Sequence, residues 1–208
     1  MDKKILRAMF KTIAEVADPY RTNLLGVHFE ANRCYATDTH VLVIYKQGNE
    51  NLAGQTVAFN GEIVKGNYPA VDRVVPKDMP DPALPIDLAQ LNRALKWYVA
   101  QPGNLKDDVI AFGEIGYSFR NLITVLNFYD LAGELSKVSF FLSPEPCRPA
   151  KFESETLTAI VMPININEEN IDKPRTEDTV SVSYEMLISK FAANRGKKKK
   201  AVVEMDWL

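Results

Sequence analysis

Apolar residues recur at helical spacing at the start of the chain, at Ile5, Leu6, Met9, Phe10, Ile13 and Val16, and predict an amphipathic helix over 3–17. Asp18-Pro19 ends it, because proline cannot continue the backbone hydrogen bonding. The pattern then changes to short runs rich in Val, Ile, Phe and Tyr, which predict strands at 22–30, 33–38, 40–46 and 55–59. Asn60-Gly61 marks a tight turn into another strand over 62–65. Five prolines from Pro69 to Pro85 exclude a helix and predict a stiff, extended connector. A second helix, 87–100, carries Leu88, Leu91, Leu95 and Val99 on one side. After a strand at 109–112, Ser118 is placed to cap a third helix over 119–131, with Phe119, Leu122, Val125, Leu126 and Tyr129 as its apolar set. Strands near 137–143, 149–153 and 156–164 complete the folded part.

Beyond Ile166 the pattern fades. Asn, Glu, Asp and Lys dominate 165–178, which reads as a solvated linker. Residues 183–195 read as a short helix, Lys197–Lys200 is a four-lysine run, and the chain ends Glu204-Met205-Asp206-Trp207-Leu208. The expected architecture is α+β, with helices packed on antiparallel sheets and a flexible C-terminal tail. Its expected divisions are 1–80, 81–166 and 167–208.

Composition narrows the function more than the fold. The 208 residues are 46% hydrophobic and 25% charged, as in ordinary globular proteins. No apolar run approaches the roughly 20 residues that a membrane helix needs. Met1-Asp2-Lys3-Lys4 leads into an amphipathic stretch rather than a signal-peptide core, so a cytoplasmic protein is expected. Cys34 and Cys147 have no Cys or His neighbour at ligand spacing, which favours packed thiols over a zinc site. There is no glycine-rich phosphate loop, His-Glu zinc motif or Gly-x-Ser-x-Gly elbow. His28 and His40 have no partner nucleophile in sequence, and Asp38 reads as a turn stabiliser. A non-catalytic protein without metal or cofactor is expected. The net charge of −2 leaves nucleic acid open as a partner, since a local basic face suffices.

Three distant segments carry a family signature in order: Ala36-Thr37-Asp38-Thr39-His40-Val41-Leu42, Tyr68-Pro69-Ala70-Val71-Asp72-Arg73-Val74-Val75-Pro76 and Ala159-Ile160-Val161-Met162-Pro163-Ile164. They resemble the "ATDGHRL" turn, "FPDYRRVIP" linker and "VVMPM" terminal strand of the bacterial sliding clamp, the β subunit of the replicative DNA polymerase. The likeness extends over Leu6 to Ile44 and over Gly113 to Ile164, about three quarters of the chain. The family's chains have three domains. This chain has room for two abbreviated ones, or for one domain split by a helical insertion, and ring closure is open accordingly.

The resemblance implies a DNA-clamp-like fold, with the first two divisions as clamp-like subdomains, and a groove in which polymerases and repair proteins dock. The groove positions that carry over are Leu24, Thr37, Thr39, His40, Leu42, Pro69, Arg73, Val74, Val161, Met162, Pro163 and Ile164. Apolar walls would take the anchors of a short peptide, Met162 would give a deformable surface, and Arg73 and His40 would orient polar groups. The basic residue that follows the His in the family is Val41 here. The terminal Met205, Asp206, Trp207 and Leu208 resemble the clamp-binding peptide of clamp partners, of the type Gln-Leu-Asp-Leu-Phe.

Clamps also hold duplex DNA without reading bases. Lys4, Arg7 and Lys11, with Lys3 adjacent, lie opposite the apolar stripe of the first helix; Arg93 and Lys96 share a face of the second, and Arg120 begins the third. Tyr20 and Arg21 match the family's DNA-contacting loop. The expected function is a processivity factor that binds double-stranded DNA and the docking peptides of a DNA polymerase or other partners, as a homo-oligomer. The alternatives are a single-stranded DNA-binding protein, or a clamp-partner interaction module that does not encircle DNA.

Overall fold

β-Branched and aromatic runs that alternate in and out along the first third of the chain assemble into one antiparallel meander. In the computed structural model, which describes residues 2–77, 85–143, 145, 148–166, 171–172 and 180–205, with side chains to 194, this meander is part of an eight-stranded sheet. Its strands are β1 (Val27–Phe29), β2 (Cys34–Thr37), β3 (Val41–Tyr45), β4 (Thr56–Val57), β5 (Ile63–Val64), β8 (Ser139–Phe141), β9 (Ala150–Glu153) and β10 (Leu157–Val161), in the order β5-β4-β1-β2-β3-β10-β9-β8. The long-range join is β3 with β10, in register from Leu157 opposite Tyr45 to Val161 opposite Val41. It places Met162 beside the turn at His40.

The two faces of this sheet are separated by the pleat. Cys34, Ala36, Val41, Val43, Tyr45, Ala159, Val161, Phe152 and Phe140 point to one side and are buried. Helix α1 (Lys3–Thr12) lies there, burying Ile5, Met9 and Phe10, with Asp2 capping its first turn through Lys4 N–H at 2.7 Å. Tyr35, Leu42, Ile44 and Ile160 point to the other side and form a smaller apolar cluster with Val71, against which Tyr68 and Val75 pack.

The chain falls into two compact units, and the division is not sequential at 80 and 166 as expected. One comprises 1–88 and 124–163, the other 89–123 and 164–208. The first holds the eight-stranded sheet, α1 and the later part of α3 (Phe119–Leu131). The second holds α2 (Leu88–Val99) from Ala89 onward and a three-stranded sheet, β11-β6-β7, built from β6 (Val109–Phe112), β7 (Ile115–Ser118) and β11 (Ser181–Ser183). There Tyr98 stacks on Phe119 at 4.5 Å, and Phe112 on Tyr184 at 5.4 Å.

Several expectations require correction. The first helix stops at Thr12; a 3₁₀ turn at Ala14–Val16 turns Ala14 and Ala17 inward and leaves Val16 61% exposed. The expected strand at 22–30 shortens to Val27–Phe29, because Thr22–Leu24 forms another 3₁₀ turn. β7 was not expected, and β11 pairs parallel with β6, so the second sheet is mixed. The helix expected over 183–195 is present and runs further, to Met205. α4 (Tyr184–Met205) follows β11 directly and buries Leu187 and Phe191, the latter beside Trp97 at 5.9 Å. Most of the expected linker, at 167–170 and 173–178, lies outside the described residues, as do Thr179, Cys147 and Asp206–Leu208. Cys34 is a free, buried thiol.

Candidate peptide-docking site and basic face

The turn between β2 and β3 is held by its own polar side chains. Asp38 Oδ1 accepts from His40 N–H at 2.9 Å and from Val41 N–H at 2.7 Å, while Thr37 Oγ1 accepts from Thr39 N–H at 3.1 Å. Thr39 adopts a left-handed φ of 84°, unusual for a β-branched residue, and the surrounding bonds hold it there. The sheet ladder continues past β10 through Met162 N–H, which donates to the His40 carbonyl at 2.8 Å. Pro163 then ends the strand pairing.

The connector crosses the face of this sheet as a strap. Tyr68 accepts from Thr37 N–H at 2.9 Å, and its ring packs against His28 and Tyr35 with centroids 5.2 and 5.4 Å away. Val71 drops into the Tyr35–Leu42–Ile44–Ile160 cluster, and a 3₁₀ turn at Val71–Arg73 follows, closed by Val74 N–H donating to the Val71 carbonyl at 2.9 Å. Arg33 ties the strap to the β1–β2 hairpin. Its Nε donates to Glu30 Oε2 at 2.6 Å, and two further nitrogens grip Asp72 at 2.7 and 2.8 Å. The same guanidinium holds the Glu30 and Asp72 carboxyls below their ordinary range. Burial lowers the His28 imidazole and raises the Tyr68 and Tyr35 phenols.

The three signature segments therefore adjoin on one sheet, yet they do not present all their expected walls. Thr39, His40, Pro69 and Arg73 are exposed, Val74 is 44% exposed, and Thr37, Met162 and Pro163 are half-buried. Leu42 is covered by the strap, Leu24 is buried, and Val161 is 0% exposed on the helix side of the sheet. The pleat explains the last case: Val161 is one residue from Ile160, which faces the strap, so it must face away. Ile164 belongs to the other unit, where its N–H donates to the Gly116 carbonyl at 2.8 Å. The strap-holding residues Arg33, Glu30 and Tyr35 were missed. Nothing in a charged hairpin residue such as Arg33 signals a partner 39 positions away.

On α1, Lys3, Lys4, Arg7 and Lys11 are all exposed, and Lys11 Nζ sits 5.2 Å from the centre of the Phe59 ring. In the loop after it, Tyr20 is 94% exposed and Arg21 lies 4.0 Å from Asp18. In the second unit Arg93 and Lys96 are exposed on α2, while Arg120 is paired with Asp107 at 2.9 Å and so is partly neutralised. Among the described residues there is no group of His, Cys, Asp and Glu able to hold a metal ion, and no helix long and apolar enough to cross a membrane.

This arrangement of helices on a large antiparallel sheet and a smaller mixed one is similar to the fold of the DNA sliding clamps. The similar solved structures are β subunits of DNA polymerase III: that of Thermotoga maritima at 14% identity and a TM-score of 0.57, and that of Streptococcus pyogenes at 15% and 0.58. Each match covers 80% of this chain and 65% of the other. A sliding clamp from Bartonella birtlesii, bound to griselimycin, matches at 17% identity and a TM-score of 0.57, over 78% of this chain and 65% of that one. The chain thus spans about two thirds of the length of these neighbours. No family model and no curated sequence matches it.

Proposed function

We propose that this protein is a sliding-clamp-like processivity factor that rests on duplex DNA and docks the short peptides of a polymerase or other partners. The observation that carries the reading is the meeting of the 36–42 turn, the 68–75 strap and the 159–163 strand end on one sheet of a clamp fold. The surface offered to a peptide comprises Thr39 and His40 on one side, Pro69, Arg73 and Val74 on the strap, and Met162 and Pro163 at the strand end. Val74, Met162 and Pro163 supply apolar contact, and Arg73 and His40 supply polar contact. Leu24, Leu42 and Val161 support this surface rather than line it, and Ile164, in the other unit, is no part of it. Thr37 fixes the turn.

DNA is held through its phosphates, chiefly by charge. Lys3, Lys4, Arg7 and Lys11 on α1, with Tyr20 and Arg21 beyond it, are the contacts of the first unit; Arg93, Lys96 and Arg120 are those of the second. The protein works as a non-catalytic homo-oligomer in the cytoplasm, without cofactor. Met205, Asp206, Trp207 and Leu208 form a peptide that competes for a docking surface of this kind on another copy or another clamp.

The test is retention on DNA together with peptide binding. The protein is expected to stay on nicked circular duplex, to leave linear duplex of the same length, and to bind a labelled Gln-Leu-Asp-Leu-Phe-type peptide. Equal loss from circular and linear DNA with intact peptide binding would instead make it an interaction module that does not encircle DNA. Preference for single strands would favour the remaining alternative. Removal of 203–208 is expected to change self-association or binding to a second clamp.

A further inference from the structure

Arg33 stands between two carboxylates from different segments. It makes a two-point contact with Glu30 on its own hairpin, at 2.6 and 3.1 Å, and a two-point contact with Asp72 on the strap, at 2.7 and 2.8 Å. Tyr35 O–H donates to the same Glu30 at 2.9 Å, and the guanidinium carbon lies 5.6 Å from the Tyr35 ring centre. The Arg33 side chain is only 25% exposed, whereas that of Asp72 is 67% exposed. The clamp is thus organised from the sheet outward: the hairpin fixes the arginine, and the arginine fixes the strap.

Asp72 immediately precedes Arg73 and Val74, whose side chains turn outward. We propose that Arg33 is a positioning residue of the docking surface, which by gripping Asp72 presents Arg73 and Val74 in a fixed orientation to the incoming peptide; this rests on the peptide-docking reading above. Val71 and Tyr68 anchor the strap on its near side. The backbone bond from Val74 N–H to the Val71 carbonyl closes the turn, and the Arg33–Asp72 contact adds the side-chain restraint next to the presented residues. Without it the turn keeps its backbone bonds but moves more freely over the sheet, and a peptide that must fix it as it binds does so at reduced affinity.

The experiment measures fluorescence polarisation of a labelled Gln-Leu-Asp-Leu-Phe-type peptide against the full chain. Asp72→Asn and Arg33→Lys, which keep size or charge but lose the fork geometry, are each expected to weaken binding by about threefold to tenfold, as suits a partly exposed charge-assisted pair. Arg73→Ala is expected to cost less in the Asp72→Asn background than in the wild type, because Arg73 depends on the held turn. Tyr129→Phe, destabilised away from the strap, should bind like the wild type, which separates positioning from general loss of stability. Wild-type affinity in Asp72→Asn and Arg33→Lys, or strictly additive losses with Arg73→Ala, would overturn the proposal while leaving peptide docking intact. Failure of the wild type itself to bind would remove the docking reading and this proposal with it.

Discussion

The buried carboxylate of Asp108 accepts the backbone N–H of Val180 at 3.1 Å, although 72 positions separate them. Its other oxygen accepts from Leu105 N–H at 2.9 Å and from Tyr98 O–H at 3.2 Å. This one side chain therefore fastens the start of β11 to the second unit, and β11 leads straight into α4. Asp108→Ala leaves at least three donors without their acceptor, at about 1–3 kcal/mol for each one that stays buried. The expected outcome is a second unit that loses cooperative unfolding, with amide exchange over 180–194 rising well above that of β3 and β10. Protection equal to the wild type across 180–194 would refute this.

Tyr129 offers a milder test in the first unit. Its hydroxyl donates to the Phe152 carbonyl at 2.8 Å, and burial raises its phenol well above the ordinary value. Tyr129→Phe removes the donor but keeps the ring that packs near Phe152. A loss of about 1 kcal/mol in denaturant unfolding is expected, with the slope unchanged.

The contrast between these two tyrosine and aspartate sites explains what the sequence disclosed. Tyr129 was legible because it falls on the apolar period of a helix with Phe119, Leu122 and Val125. The β3–β10 core was legible because β3 is a continuous apolar run and β10 is one but for Thr158. Asp108 and β11 were not, and of α4 only the part to 195 was. Val180 and Val182 follow directly on the polar stretch 165–178, with no alternation long enough to mark a strand, and tertiary pairing with β6 makes 181–183 one. The same limit applied at the candidate site. The signature segments could be recognised, but which of Leu42, Val74 and Val161 faces outward depends on the pleat and on a strap that covers Leu42. The clamp by Arg33 left no local pattern at all.

Acid should loosen the strap in two separable stages. His28 is held below its ordinary value by burial, so the unfolded chain takes up its proton first as pH falls. Stability from this group is full above about pH 6.5, the unperturbed histidine value, and declines below it until the folded histidine also protonates. Glu30 and Asp72 are held low by Arg33, so their contribution is present above the ordinary carboxylate range and is lost as pH falls through their depressed folded values. His28→Gln is expected to flatten the melting-temperature profile between pH 5 and about 7. Asp72→Asn should leave that window unchanged and reduce only the loss below about pH 4. An unaltered profile in His28→Gln would show that the imidazole sits in solvent-like surroundings.

Salt dependence gives the sharpest test of the DNA face, because it counts charges. Lys4, Arg7 and Lys11 are exposed on one side of α1, whereas Arg120 already has Asp107 as a partner at 2.9 Å. If α1 lies along duplex phosphates, each cation engaged releases counterions, with a slope of about −0.9 in log K against log salt per phosphate. Replacing Lys4, Arg7 and Lys11 together by Ala is expected to reduce the magnitude of that slope by about 2 to 3. Because the contacts reach phosphate and not base edges, the loss should be the same for duplexes of any sequence. Arg120→Ala should change the slope by much less, since its charge is already shared with Asp107. Lys11→Ala also removes the ammonium from the face of Phe59, so a small fall in stability accompanies it. A triple variant with an unchanged slope would place the DNA contact elsewhere on the molecule.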